Sequence, residues 1–274
     1  MRSEPNKFTW TEYPLIDAVD GGRYRRLSDE EVAAELAEGT SPEVLGEYYK
    51  AREERINLAR RDPFQGEIPL PHWERLEEAV RQYSVVWVPG GNNPGKSWWA
   101  GSLVMRFLTR RFTWEGQSTG KLKVLMVSQD ELASKMFQQP AVYAHFPLSW
   151  RVINDSTGKK PPRFIKCVNY SDKNGFTEES FVLPDKRLRG QCWFKTVAQY
   201  TREPQSFEGP AYDLVVIDEG CPVPLFRTLL ARAAKLSGKI VYLLTCIHGY
   251  DQTLGQALEG AKLVETRPMQ WQWE

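Results

Sequence analysis

Several stretches of this chain are apolar for four or more residues in a row and are closed off by polar or turn-forming residues. Val85-Val86-Trp87-Val88-Pro89 is the first, Lys121 to Gln129 the second, Tyr212 to Ile217 the third and Lys239 to Thr245 the fourth. Short uninterrupted apolar runs of this kind predict strands buried on both faces. The segments between them change period. Trp98 to Arg111 carries Leu103, Val104, Phe107 and Leu108 at helical spacing, with Arg106, Arg110 and Arg111 at its far end. Trp73 to Tyr83, Asp130 to about Phe137, and Pro224 to Leu236 also predict helices, the last ended by Gly238. Buried strands alternating with helices predict an α/β fold with a mostly parallel sheet.

Two regions depart from that alternation. Residues 1–61 are polar and helical in pattern. Ser28-Asp29-Glu30-Glu31 is a capping box opening a helix through Ala37, stopped near Gly39. Ser41-Pro42 opens another that runs to Arg61 with alternating charges, a solvated face or a surface that docks a partner. Residues 151–202 hold turn signals at Pro161-Pro162, Asn174-Gly175 and Pro184-Asp185. Between these lie Arg163 to Tyr170, Glu179 to Leu183 and Gln191 to Gln199, which predict antiparallel strands with a hairpin at Asn174-Gly175. The expected organisation is a helical segment over 1–61 and one domain over 62–274 that contains this β-rich element.

Charge sharpens the second region. The whole chain of 274 residues has a net charge of +1, which demands no polyanionic partner. Residues 151–202 alone hold 11 Lys/Arg against five Asp/Glu. A basic β element can contact phosphate backbone or can be a solvated edge that resists aggregation, and both readings stand. Cys167, Cys192, Cys221 and Cys246 are scattered, and His72, His145 and His248 lack ligand spacing. They predict reduced thiols and no zinc site. No apolar run approaches the ~20 residues of a membrane span, and the N-terminus has no signal-peptide core.

The candidate chemistry sits where the strands end. After the first strand comes Gly90-Gly91-Asn92-Asn93-Pro94-Gly95-Lys96-Ser97, which fits the phosphate-loop pattern. Its glycines let the backbone curl so that N–H groups face phosphate oxygens, and the helix that follows adds its dipole. Lys96 is placed for the β- and γ-phosphates of ATP, and Ser97 for Mg²⁺. The third strand ends in Asp218-Glu219. Asp218 is the expected second metal ligand, and Glu219 the acid that orients and deprotonates the attacking water. The fourth strand ends in Thr245, a hydroxyl that can sense the γ-phosphate and couple its loss to movement. Trp73 can stack on the base or belong to the core. Loop, aspartate and adjacent glutamate together predict a P-loop NTPase of the ASCE type: a mostly parallel sheet flanked by helices, with an antiparallel β-rich element and an N-terminal helical segment.

With these residues in hand, the chain resembles the ATPase domain of phage large terminase subunits. The resemblance rests on Gly90–Ser97, on Ser206-Phe207-Glu208-Gly209 just before Asp213–Glu219, and on the helix-Gly-strand-Thr run from Pro224 to Thr245. It covers roughly residues 60–273. It implies an ATP-hydrolysing motor, with Mg²⁺, that drives double-stranded DNA into a procapsid. It also implies a homo-oligomeric ring on the portal protein, a small terminase subunit as partner, and residence in the host cytoplasm with transient docking on the capsid. Three features depart from the family. Asn92-Asn93-Pro94 stands where many relatives carry an arginine. Glu208 stands where some carry another. Residues resembling a nuclease domain are absent, so DNA cleavage is not expected of this chain. Arg202, Arg227 and Arg232 are the candidates for an arginine finger. The alternatives are another DNA-dependent translocase or helicase-like ATPase and a non-hydrolysing nucleotide-binding assembly module.

Overall fold

The computed structural model describes residues 29–61, 71–90, 95–147, 150, 168, 170–171, 173–184, 187–188 and 190–245. The chain divides into two compact units, residues 1–71 with 147–149, and residues 72–146 with 150–274. In the first unit, α1 (Asp29–Ala37) and α2 (Pro42–Arg61) are joined by a turn at Gly39. The Ser41 hydroxyl accepts from the Val44 amide at 3.4 Å, the start signal read in Ser41-Pro42. Ser28 of the expected capping box lies outside the described residues.

The second unit is built on a six-stranded sheet in the order β1-β8-β7-β2-β6-β5. The strands are β1 (Val85–Gly90), β2 (Lys123–Ser128), β5 (Ser180–Val182), β6 (Gln191–Thr196), β7 (Leu214–Asp218) and β8 (Lys239–Thr245). Every neighbouring pair is parallel except β5–β6. A separate antiparallel pair joins β3 (Tyr170–Ser171) to β4 (Gly175–Phe176). Of the long apolar runs, β8, β7 and β2 are interior strands buried on both faces; β1, expected to be buried likewise, is an edge strand of the described sheet, with Val86 and Val88 buried and Val85 and Trp87 half-buried.

Alternate side chains of those strands face opposite layers. On one face, Leu125, Val127, Val215, Ile217, Ile240, Tyr242 and Leu244 form a core with Leu225, Leu229 and Ala233 of α8 (Val223–Ala234). Phe207 closes the same layer from the 3₁₀ turn Pro204–Phe207, which follows α7 (Val197–Arg202). The other strand face packs on α4 (Lys96–Leu108), nearly all of which is buried from Trp99 onward. Burial of a long helix on almost every side explains why its apolar residues exceed a single stripe. Its remaining charge is neutralised locally: the Arg106 guanidinium pairs with Glu77 of α3 (Pro71–Gln82). Arg110 donates instead to the carbonyls of Ser118, Thr119 and Gly120, at 3.2, 2.9 and 2.6 Å, and so ties down the loop before β2.

The expectation of one antiparallel β element over 151–202 needs correction. Gln191–Thr196 is β6, an interior strand parallel to β2, and the chain turns helical at Val197. Thr196 and Gln199 form a reciprocal capping box there, which ends the strand before Gln199. Among the described residues antiparallel pairing is confined to β5–β6 and to the β3–β4 hairpin; most of the expected strand Arg163 to Tyr170 lies outside them. The hairpin forms around Asn174-Gly175 as read. Gly175 has φ 71°, a backbone conformation that favours glycine, and a Cβ there would have to displace the Gln139 side-chain amide, whose oxygen would lie 2.0 Å away.

The expected helix from Asp130 also changes character. Asp130 caps α5 (Glu131–Ala133), its carboxylate accepting from the Ala133 amide at 2.8 Å. The chain then widens into a π-helical stretch, Ser134–Gln138, before α6 (Gln139–Ala144). Pro140 supplies the reason. It has no N–H, and its ring would clash with the carbonyl four residues earlier in a regular α-helix. A wider turn just before it relieves that clash.

Candidate nucleotide and metal site

β1, β8 and β7 lie side by side with their C-terminal ends together, Gly90 level with Thr245 and Asp218 level with Leu243. In an open parallel sheet this is the end where ligands bind. β1 leads directly into the motif Gly90–Ser97. Gly91, Asn92, Asn93 and Pro94 lie outside the described residues. At the loop's far end, Gly95 adopts the left-handed conformation, φ 77° and ψ 14°, and caps α4. Lys96 and Ser97 are therefore the first two residues of a long helix. The free N–H groups and the positive dipole end of such a terminus favour an anion.

β7 brings its acids to the same place. The Ser97 hydroxyl donates to the Asp218 carboxylate at 3.4 Å, although the residues are 121 positions apart. Burial raises the Asp218 pKa from its ordinary 3.8 to about 6, and the neighbouring Glu219 charge adds to the rise. Ser97, Lys96 and Gln138 act against it by favouring the charged form. A desolvated carboxylate beside a hydroxyl and a lysine is poised for a divalent cation. The described residues form no cluster of three or more His, Cys, Asp or Glu that could hold a metal alone. One hydroxyl and one carboxylate fit Mg²⁺, which takes most of its octahedral shell from water and substrate phosphates.

Glu219 differs from its neighbour in every respect that matters. It is exposed, and it leaves the strand with φ 71°. Its amide still donates to the Leu243 carbonyl at 3.0 Å, so the ladder holds the backbone while the residue swings out of it. Left-handed backbone at a non-glycine residue is a strained state concentrated at functional sites. Thr245 ends β8, between the strand that carries the loop and the strand that carries the acids.

Sequence reasoning missed three residues here. Gln129, just past β2, donates its side-chain amide to the Gly220 carbonyl and so fixes the turn after Glu219. Buried Ser128 donates to the Asp130 carbonyl at 2.9 Å. Gln138 is 1% exposed and donates to the Val127 carbonyl at 3.0 Å. Polar residues at the C-terminal end of a parallel strand are a usable signal for the first two. Gln138 gave none, because the π-helical turn shifts its phase. Trp73 resolves toward the core: it is 2% exposed, and a Cβ on Gly95 would lie 3.4 Å from its ring. A ring so covered offers no face to a base, which corrects the stacking alternative.

The arginine candidates are placed but not brought to the acids as partners. Arg202 and Arg227 are exposed on α7 and α8, and Arg232 donates to the Gly209 carbonyl at 3.4 Å. Of the basic residues in 151–202, Lys195 is used internally, bonded to the Ser206 carbonyl and lying 4.7 Å from the Phe207 ring centre. Arg187 is exposed, while Lys186 and Arg189 lie outside the described residues. Cys192 and Cys221 are buried. No described helix is long and apolar enough to cross a membrane.

These features define a P-loop NTPase fold in which an extra strand, β8, separates the loop strand from the acidic strand. No protein-family model matches the sequence, and no curated protein is similar to it. Among solved structures the chain is similar to the large terminase of a thermophilic bacteriophage. That similarity has a TM-score of 0.45 at 10% identity, over 65% of this chain and 39% of that one. It is also similar to a point mutant of the ATPase domain of the Thermus phage P74-26 large terminase. There the TM-score is 0.45 at 12% identity, over 72% of each chain. The chain spans about two-fifths of the length of the first of these two proteins.

Proposed function

We propose that this chain is the ATP-hydrolysing motor of viral DNA packaging. The observation that carries the ATPase half of the proposal is the meeting of Ser97 with Asp218 beside Lys96 and Glu219, at the shared end of β1, β8 and β7. Two motifs far apart in sequence converge on one spot, in the order the chemistry needs. Lys96 and the loop Gly90–Ser97 hold the triphosphate. Ser97 and Asp218 would hold Mg²⁺, which would supply charge neutralisation at the phosphates. Glu219, exposed at the strand end, orients a water and accepts its proton as the bond to the γ-phosphate breaks. Thr245, on the strand between the two motifs, couples loss of that phosphate to motion of the sheet.

The packaging half rests on the order of motifs in the sequence: Phe207-Glu208-Gly209 ahead of the acidic strand, then the helix, Gly238 and the strand ending in Thr245. In this reading residues 1–61 are a helical appendage to the ATPase domain 62–274. The partners are double-stranded DNA, a portal protein, a small terminase subunit and further copies of the chain in a ring. The test is ATP turnover of the purified chain alone, with DNA, and with DNA plus empty procapsids. At least tenfold stimulation that requires procapsids is expected. Equal stimulation by DNA alone points to a general translocase, and no turnover under any condition removes the motor assignment.

A further inference from the structure

We infer that Gln129 is a positioning residue for Glu219: its side-chain amide holds the turn that aims the glutamate out of the end of β7. The inference rests on the reading of Glu219 as the water-activating base and extends it to a residue outside both motifs. Three observations carry it. First, Gln129 and Gly220 lie 91 positions apart, on the turns that follow β2 and β7, and the Gln129 Nε2 donates to the Gly220 carbonyl. β2 and β7 are neighbours in the sheet, with Val127 level with Ile217, so the two turns leave the ladder side by side. Gly220 directly follows Glu219, so this bond fixes the backbone on the C-terminal side of the glutamate. The bond from the Glu219 amide to the Leu243 carbonyl, at 3.0 Å, fixes it on the other side.

Second, the conformation between those two bonds is one that needs holding. Glu219 has φ 71°. Left-handed backbone is unfavourable for a residue with a Cβ and persists only where the surroundings over-determine it. Freed at one end, the residue relaxes toward negative φ and carries its carboxylate away from its place at the strand end. Third, the amide that does the holding is itself anchored. The Gln129 carbonyl accepts from the Ala198 amide at 3.1 Å, in the first turn of α7, whose start is set by the Thr196–Gln199 capping box. One residue earlier, Ser128 donates to the Asp130 carbonyl at 2.9 Å. The space is matched as well. A Cβ on Gly220 would lie 3.1 Å from the Gln129 Nε2, so glycine there lets the amide close on the carbonyl.

The experiment compares the wild-type chain with Gln129→Met, which keeps the length of the side chain and removes both amide hydrogens. Three quantities are read: single-turnover hydrolysis of ATP, the Mg²⁺ midpoint for binding of a fluorescent ATP analogue, and hydrogen exchange at the Glu219 backbone amide without nucleotide. The expected result is a roughly ten- to hundredfold fall in the hydrolysis rate, with the analogue's affinity and the Mg²⁺ midpoint held within about twofold. Exchange at the Glu219 amide rises by about fivefold or more, because its bond to Leu243 no longer sits in a closed turn. A merely structural role would lower the thermal midpoint and leave the rate per folded molecule unchanged. Gly220→Ala, whose Cβ crowds the amide, should slow hydrolysis in the same way and add nothing to Gln129→Met; should Gln129→Met not fold, Gly220→Ala is read alone. An unchanged hydrolysis rate in the folded variant overturns the inference. So does a further loss of rate when Gln129→Met is added to Glu219→Gln, because the effect must run through Glu219. If Glu219→Gln alone hydrolyses ATP as fast as wild type, the reading of Glu219 as the base falls, and this inference with it.

Discussion

The two halves of the sheet keep their order by different means. In β1, β8, β7 and β2 the side chains are mostly branched aliphatics, the ladders are all parallel, and the strand ends converge on the acids and the loop. In β5, β6 and the β3–β4 hairpin the packing is aromatic. Phe176 stacks on Phe194 with ring centres 5.3 Å apart, and Tyr143 stacks on Tyr170 at 4.0 Å. Phe146 and Phe181 fill the gaps at 4.9 Å in an edge-to-face contact. Branched aliphatics on a parallel ladder fix register, and register places Ser97, Asp218 and Glu219. Rings tolerate irregular backbone, so short strands, a 3₁₀ turn and a hairpin can be joined there without a regular pattern. The first half is a positioning frame; the second is a packed flank.

The largest expected effect tests the frame. Glu219→Gln keeps the shape of the side chain and removes the base, so hydrolysis should fall by about 10²–10⁴-fold with nucleotide affinity nearly intact. Retained turnover in a steady-state assay breaks the assignment. Phe176→Ala tests the flank. Phe176 is 2% exposed and touches five other rings, so its loss should destabilise by about 3–5 kcal/mol in denaturant melts. The Mg²⁺ midpoint and kcat of the folded fraction should hold. A changed kcat at unchanged stability would show that the halves are not separable.

The smallest effect has the more informative sign. In the metal-free protein Asp218 binds its proton more tightly folded than unfolded, between its ordinary 3.8 and about 6. Its contribution to stability is present at low pH, falls as pH rises through that window, and is fully lost above it. Asp218→Asn removes the penalty, so without Mg²⁺ at pH 7.5 the variant should be more stable than wild type by about 1–3 kcal/mol. The difference should shrink toward pH 4. Thermal midpoints across that range check it, and a destabilised variant at pH 7.5 counts against a desolvated, metal-awaiting carboxylate.

The frame was legible because its signals are local. Apolar runs, a glycine-rich loop and two carboxylates at a strand end all name themselves from spacing. The flank was not. Gln191–Thr196 has the aromatic and β-branched content of either an antiparallel or a parallel strand, and only its partner β2 decides. The helix after Asp130 was legible at its cap and lost at Pro140, where the π-helical turn changes the phase of everything from Gln138 onward. Trp73 was open between base and core because composition does not report what covers a ring. Lys195 was counted with a basic surface, yet it sits against Phe207.

One consequence follows from the position of β1 in the sheet. Among the described residues its only ladder partner is β8, which is made last. A ribosome adding about 5–20 residues per second leaves the loop strand without its neighbour for on the order of ten seconds. Until residue 245 has emerged, nothing holds Gly90 at the height of Thr245. The nascent chain therefore carries the whole phosphate-loop sequence without a site to use it. In the proposed reading, a nucleotide site is complete only once β8 has paired with β1.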